Sequence, residues 1–350
     1  MSVYPTASTR PDEGRLVAAA RRGDDAAFEA LVARYQREVE VHCYRMVGSI
    51  QEAEDLAQET FLRAWKNRAG FEGRSTYRRW LYRIATNACL DAVVDKRPRV
   101  LATDAVPPAD PRAPLLPAAD WPWLEPYPDR LLEGIAPSEA EPDAVVVARE
   151  TIELAFIAAI QHLPARQRAA LILHDALGWP VTDMAELLTV SDAATNSLLQ
   201  RARATMRRRL PRRRVDWAKE VDVTAGERAV LRRYVDALER CDAAAVIELM
   251  HEDVRSTMAP TPTWFDGREA MAIALAPSMD RSSPEFIGDW RVIPTAANRQ
   301  PAAATYLRAP GASEFKAFSL DVLRVDDGKI VELNSFESTL FPVFGLPPVL

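Results

Sequence analysis

The sequence predicts a multidomain chain in which two all-α domains precede an α+β domain. Three observations predict it. Apolar residues recur at helical spacing in two separate blocks. A proline-rich, acidic stretch lies between those blocks. Beyond residue 222, two helical runs give way to alternating strand-like runs. At 350 residues the chain has room for two or three domains and a sizeable core. The predicted pieces are 1–99, 100–145, 146–215 and 222–350.

The first block reads as three helices. Phe28, Leu31, Val32, Tyr35, Val39, His42, Cys43 and Met46 form one stripe. Asp24 or Asp25 caps its start and Gly48 marks its stop. The second helix is QEAEDLAQETFLRAW. It buries Ala57, Phe61, Ala64 and Trp65 and turns Asp55, Glu59, Arg63 and Lys66 outward. The third runs from about Ser75 to Val94, with Tyr77, Trp80, Leu81, Ile84, Ala85, Ala88 and Ala92 inward. Its other sides carry Arg78, Arg79, Arg83 and Asn87. The loop NRAGFEGRS joins the last two helices.

The second piece holds 11 of the 26 prolines between Lys96 and Glu150 and reads as an extended tether. WPWLEPYPD at 121–129 departs from that composition. Exposed aromatics reduce solubility, so Trp121, Trp123, Leu124 and Tyr127 are expected to clip onto a neighbouring domain.

The third piece is helical again. Val147, Ile152, Phe156, Ile160 and Leu163 open it, Pro164 ends that helix, and ARQRAALILHDALGW makes another. Asp183 followed by Glu186 resembles a capping box. Met184–Leu188, the turn Thr189–Val190–Ser191 and a long helix from Asp192 read as helix-turn-helix. The long helix ends in Arg201, Arg203, Arg207, Arg208 and Arg209, followed by Arg212, Arg213 and Arg214, with no acid between Asp192 and Asp216. A recognition helix sets its first residues at base edges and its arginines against phosphates. Thr195, Asn196, Ser197 and Gln200 can exchange hydrogen bonds with bases.

The fourth piece opens with the helices TAGERAVLRRYVDALERCD and AAAVIELM. Strand-like runs follow at GDWRVIPTA, AAATYLRA, FKAFSLDVLRV and KIVELNSFES. A hairpin turn at Asp327–Gly328 suggests antiparallel pairing.

Net charge is −6, which taken whole argues against nucleic acid. Counted by segment, residues 1–99 hold 17 basic and 14 acidic groups, and 100–150 hold 3 and 10. Residues 151–221 hold 11 and 7, and 222–350 hold 13 and 19. Two mildly basic blocks therefore alternate with acidic ones, a pattern that suggests a polyanion partner for part of the chain. It also suggests that the acidic C-terminal domain docks on both basic modules, giving a compact state that a partner or ligand reopens. No run approaches eighteen apolar residues, so no membrane helix is expected. The start, MSVYPTASTRPDEGR, lacks the apolar core of a signal peptide. Three widely spaced cysteines and four single histidines point to no disulfide scaffold, no metal site and a reducing cytoplasm.

On FEALVARY, DLAQETFLRAW, STYRRWLYRIATNACLD, LPARQRAALILHDALGW and TNSLLQRARATMRRRL, the chain resembles the extracytoplasmic-function sigma factors of bacterial RNA polymerase. The resemblance covers 24–95 and 146–210, in the family's order. It implies that the DLAQETFLRAW helix binds the beta-prime clamp helices of core RNA polymerase through Asp55, Gln58, Glu59 and Arg63. It implies that loop 67–75 and the next helix melt the −10 element of promoter DNA and hold a flipped base. Phe71, Arg74, Arg78, Arg79 and Asn87 are the candidates there, with Tyr77 and Trp80 assigned to core. The second domain would contact the beta flap and read the −35 element through Thr195, Asn196, Ser197, Gln200, Arg201 and Arg203. This sequence has Asn196 where the family often has lysine, Leu198 where it has arginine, and Thr189 where glycine closes the turn.

Residues 222–350 resemble the SnoaL-like members of the cone-shaped NTF2-like superfamily, on the order helix, HEDV, W–F–G–R, strands, DDGKI. Some sigma factors of this class carry that extension, with a tryptophan-proline motif in the linker, similar to Trp121–Pro128, and an acidic-glycine-lysine turn, similar to Asp326–Lys329. The extension implies regulation in cis, and an unknown small ligand of the cone is a further candidate partner. Cone folds also host enzymes that use an Asp, often with a His. Here His251, Glu252 and Asp253 read as a surface or capping cluster near a helix end, so no catalytic residue and no cofactor is expected. Trp264, Phe265, Trp290, Tyr306 and Phe318 fit a pocket or a core equally. The rival readings are a polymerase-independent repressor and a tethered cone enzyme.

Overall fold

The computed structural model describes residues 13–94, 96–132, 152–210 and 223–350. Predictions that fall on the N-terminal segment, on 133–151 (Val147 among them) or on Arg212, Arg213 and Arg214 lie outside the described residues. The chain forms two compact units, residues 1–96 and 97–350.

The first unit is an antiparallel helical bundle: α1 (Glu13–Arg21), α2 (Asp25–Val47), α3 (Ile50–Lys66) and α4 (Tyr77–Val93). Local chemistry sets the boundaries. Asp24 caps α2 by accepting from the Ala27 N–H at 3.0 Å. Gly48 closes α2 in the left-handed conformation, φ 71°. Ser49 caps α3 and Thr76 caps α4. The predicted stripe is the core: Leu31, Tyr35, Val39, Cys43 and Met46 are buried against Ala57, Phe61, Leu81 and Ala85. The helix α1 is new relative to the sequence reading. Its Glu13 accepts from the Tyr35 hydroxyl at 2.7 Å and pairs with Arg34.

The second unit contains a helix-turn-helix bundle and a cone, with the linker on them. The bundle comprises α6 (Leu154–Gln161), α7 (Ala165–Leu171), a π-turn at Ile172–Ala176, α8 (Val181–Leu188) and α9 (Asp192–Arg209). One short helix, α5 (Ala102–Ala105), precedes it in the linker. Pro164 begins α7 and does not end α6, and Pro180 holds the N-cap of α8 with Asp183 inside the first turn, so the expected capping box is absent. Thr189 closes the turn in the left-handed conformation, φ 54°, the role that glycine fills more easily.

The cone consists of α10 (Ala225–Glu239), α11 (Ala243–Glu248), β1 (Met250–Met258), β2 (Trp264–Asp266), α12 (Arg268–Met279), β3 (Asp289–Ala297), β4 (Gln300–Arg308), β5 (Lys316–Asp326), β6 (Lys329–Glu337) and α13 (Phe341–Phe344). Thr224 and Glu227 form a capping box at α10. The sheet order is β2-β1-β6-β5-β4-β3. Its pairs are antiparallel except β1 with β6, which run parallel, so the sheet is mixed and not wholly antiparallel. A long crossover joins β1 to β6, which permits the parallel pairing. Asp327 and Gly328, at φ 47° and 72°, make the predicted hairpin turn. Val230, Leu231, Tyr234 and Leu238 of α10 pack on Trp290, Val292, Ala303 and Leu323 of the sheet. The terminal FPVFGLPPVL folds onto the cone: Phe341 meets Tyr306 edge-to-face, and Leu350 exchanges backbone hydrogen bonds with Phe315.

Candidate nucleic-acid interface

On α3, Asp55 and Gln58 are exposed, whereas Glu59 and Arg63 pair with each other at 2.7 Å. Arg63 also reaches Asp91 of α4 at 3.0 Å, and these two carboxylates hold its guanidinium pKa above the usual value. Beside this face lies a groove of about 590 Å³ between α2 and α3. Phe28, Val32, Phe61 and Trp65 line it, Leu62 and Gln58 stand at it, and Asp25, Glu29 and Glu40 supply negative charge. Leu62 is 54% exposed, the largest apolar exposure on this helix. Helical periodicity alone does not single it out, because it lies between the apolar and polar stripes.

Phe71 is buried, 5.6 Å from the Tyr77 ring and 5.3 Å from Trp80. It anchors its loop in a three-ring cluster and presents no open stacking surface. Trp80 is half-buried, while Tyr77 is buried as expected. Burial pushes the Tyr77 hydroxyl up to about 12. Arg78 donates to Glu38 at 2.7 Å and lies over the Tyr82 ring. Arg74, Arg79 and Asn87 are exposed.

In the helix-turn-helix, Ser191 caps α9 by accepting from Ala194 N–H at 3.2 Å. Thr195 is fully buried and donates to the Ser191 carbonyl, so it fixes the helix start and is out of reach of a base. Asn196, Gln200 and Arg201 are exposed on the next turns, and Ser197 is half-buried. Arg203 is engaged within the bundle: it pairs with Asp175 of the π-turn and lies 3.0 Å from the His174 Nδ1. Arg207 and Arg208 are exposed, and Arg209 pairs with Asp104 of α5 at 3.2 Å.

The linker is docked and not free. Trp121 and Trp123 are half-buried, their centroids 5.2 Å apart, and Leu124 and Tyr127 are buried. Ala109 N–H donates to the Trp264 carbonyl, Trp264 Nε1 to the Val106 carbonyl, and Ala119 N–H to the Pro260 carbonyl. Inside the cone, Asp321 is buried and accepts from the Tyr234 hydroxyl at 2.9 Å and the Ser319 hydroxyl at 3.0 Å. Burial raises its carboxyl pKa, and hydrogen bonds from Ser335, Tyr234 and Ser319 oppose the rise. His251 lies on β1, three residues beyond the end of α11, with Glu252 and Asp253 exposed beside it, and its Nδ1 accepts from the Asp253 N–H. Trp264, Phe265 and Trp290 are core residues, Tyr306 packs on Phe341, and Phe318 is 42% exposed against the edge of Trp290. Among the described residues no group of three or more His, Cys, Asp or Glu side chains is placed to hold a metal ion.

A bundle with an exposed apolar groove, a helix-turn-helix and a cone define a promoter-recognition protein with a C-terminal extension. The comparisons with known proteins agree. The profile of Sigma-70 region 2 matches residues 31–99, that of Sigma-70, region 4 matches 153–206, and that of the SnoaL-like domain matches 231–333. The chain is 41% identical over 341 residues to the ECF RNA polymerase sigma factor SigG of Mycobacterium tuberculosis, covering 97% of this chain and 88% of that one. It is 29% identical over 190 residues to SigW of Bacillus subtilis, covering 54% of this chain and 92% of that one. The crystal structure of the extracytoplasmic function sigma factor SigJ from Mycobacterium tuberculosis superposes with a TM-score of 0.57 at 23% identity, covering 91% of this chain and 99% of that one. The chain belongs to the extracytoplasmic-function sigma factors of RNA polymerase. Its helical parts are regions 2 and 4, and its cone is a SnoaL-like domain.

Proposed function

We propose that region 2 docks on the clamp helices of the polymerase beta-prime subunit through the α2–α3 groove, with Leu62, Gln58 and Asp55 at the contact. Glu59 and Arg63 stiffen that face through their mutual pair. The groove is the observation that carries this reading, because an apolar cleft beside exposed polar groups fits an amphipathic partner helix. The −10 element is held by Arg74, Arg79 and Asn87. Phe71 and Arg78 shape the loop and helix that present them. The −35 element is read by Asn196, Gln200 and Arg201, with Ser197 beside them. Thr195 and Arg203 keep α9 in place while the beta flap carries region 4. The protein acts where the polymerase is, in the cytoplasm, and no helix among the described residues is long and apolar enough to cross a membrane.

The SnoaL-like domain serves as a regulator in cis and not as an enzyme. Its buried Asp321 is already engaged by the hydroxyls of Tyr234, Ser319 and Ser335, and His251 is held by its own strand. The test is promoter-directed transcription with purified core polymerase, comparing the full chain with one ending after Asp216. Specific initiation by both, stronger in the shorter chain, supports restraint by the cone. Initiation by the full chain alone makes the cone a required part. Failure of both on a broad genomic template overturns the reading and favours a polymerase-independent repressor.

A further inference from the structure

At the tip of the β3–β4 hairpin two polar side chains are buried while Arg299 between them is partly exposed, which is unusual because loop tips normally face solvent. Asn298 is 0% exposed and Gln300 is 5% exposed. Asn298 and Arg299 both adopt left-handed backbone, φ 55° and 58°, the geometry of a tight two-residue hairpin turn. What encloses the tip is chain from two other parts of the protein.

On one side is the end of the linker. Asn298 N–H donates to the Tyr127 carbonyl at 2.8 Å, and the Tyr127 N–H donates back to Asn298 Oδ1 at 2.7 Å. Arg299 N–H donates to Asp129 Oδ1 at 2.8 Å. On the other side is the start of region 4. Asn298 Nδ2 donates to the Ile152 carbonyl at 2.7 Å, and Leu154 N–H donates to Gln300 Oε1 at 3.1 Å. Leu154 is the first residue of α6, whose N-cap Glu153 makes no side-chain capping bond. Its N–H is one of the helix-start donors that have no partner within the helix. Gln300, from another domain, supplies the missing acceptor.

We propose that Asn298–Gln300 is a latch that fastens the end of the linker and the first turn of region 4 to one point of the cone. Opening it is the step by which the cone sets the reach of region 4. The latch rests on the geometry above, while its regulatory role rests on the reading of the cone as a regulator in cis. A single amide side chain bridges both segments, so one residue couples them. Each buried partner it leaves behind would be unsatisfied, which makes the closed state sharply defined.

The test uses the full-length chain and hydrogen exchange. Asn298→Gly keeps the left-handed turn and deletes both side-chain bonds. Exchange should rise at least tenfold in peptides covering 125–132 and 152–157, with β5 and β6 unchanged as the control for folding. Asn298→Asp keeps an acceptor for Tyr127 N–H but loses the donor to Ile152, so only 152–157 should loosen. Gln300→Glu keeps an acceptor for Leu154 N–H and should retain protection there. Unchanged exchange at both segments in Asn298→Gly overturns the latch. The same holds if the Asp variant loosens both segments equally. Faster exchange with unaltered promoter-directed transcription on core polymerase leaves the latch standing and overturns its regulatory role.

Discussion

Replacing Leu62 tests the polymerase interface without disturbing the bundle. The side chain is 54% exposed in the free protein, so about half of its transfer free energy is still to be gained on docking. Full burial of a leucine is worth about 1.5–3 kcal/mol, which leaves roughly 0.8–1.5 kcal/mol for the partner to realise. Leu62→Ala should therefore weaken binding to core polymerase about 4- to 13-fold. Leu62→Asp should weaken it further, because it places a charge in an apolar cleft that already has acidic neighbours. Stability should shift by no more than about 0.5 kcal/mol, since the site is exposed and alanine favours helix. The assay is competition of each variant against a labelled wild-type chain for purified core enzyme, with urea unfolding as control. Wild-type affinity in both variants would refute the groove as the docking site. Loss of affinity accompanied by unfolding would refute the claim that Leu62 is dispensable to the fold.

Other consequences follow from the same geometry. Arg201→Ala should reduce the slope of log affinity against log salt for promoter DNA by about one, measured by anisotropy titrations at several salt concentrations. Asn196→Ala should relax preference at one −35 base pair, at a cost of about 1–3 kcal/mol on the preferred sequence. Leu124→Ala, at a position 1% exposed, should destabilise the second unit by about 2–5 kcal/mol, read as a lower urea midpoint. His42 gives a pH dependence. Burial, reinforced by Arg45, depresses its imidazole pKa to about 3, and its Nε2 lies 2.9 Å from the Thr86 hydroxyl. The unfolded chain binds that proton near 6.5, so region 2 loses stability as pH falls from about 6.5 towards 3, by about 3 kcal/mol at pH 4.5. His42→Gln should remove that part of the difference between pH 7.5 and 4.5, and equal pH dependence in both proteins would refute the assignment.

The helix boundaries were legible where the chemistry that sets them is local. Asp24, Gly48 and the pair Thr224 and Glu227 act within one turn of their own backbone. Helix α1 gives little sign of itself because it is only nine residues long and its inward face carries just Leu16, Val17 and Ala20. Strands β1 and β2 escape the pattern for a different reason. β1 pairs with β6, far along the chain, and its burial does not alternate regularly, while β2 is only three residues long. At the candidate sites the polar residue types were legible, but their partners and the burial of Phe71 and Thr195 were not. Helical spacing puts Arg78 and Arg203 on polar faces and cannot reveal Glu38 or Asp175 standing opposite. It likewise cannot show that the Thr195 hydroxyl turns back onto its own helix. Asn298 and Gln300 carry no motif at all, because their role depends on two segments distant in sequence.

Among the described residues of the second unit, no ion pair joins the cone to α9, whereas the alternating charge of the segments suggests attraction. The cone holds region 4 through uncharged groups, Asn298 to Ile152 and Gln300 to Leu154. Besides Asp175 of the π-turn on Arg203, the acid paired with this helix is Asp104 of the linker, on Arg209 at the helix end. Among the described residues of the second unit, the cone leaves the proposed base-reading residues Asn196, Gln200 and Arg201 exposed. It can work by fixing where region 4 is held relative to the linker, which bears on how a two-element promoter is spanned. The two mechanisms respond differently to salt. Raising ionic strength from 0.1 to 1 M shortens the screening length from about 10 Å to about 3 Å, which weakens exposed ion pairs and barely alters buried neutral hydrogen bonds. Promoter binding should fall steeply across that range while exchange protection at Leu154 persists. If salt abolished both together, attraction between charges, and not the neutral contacts at the hairpin, would be what holds region 4.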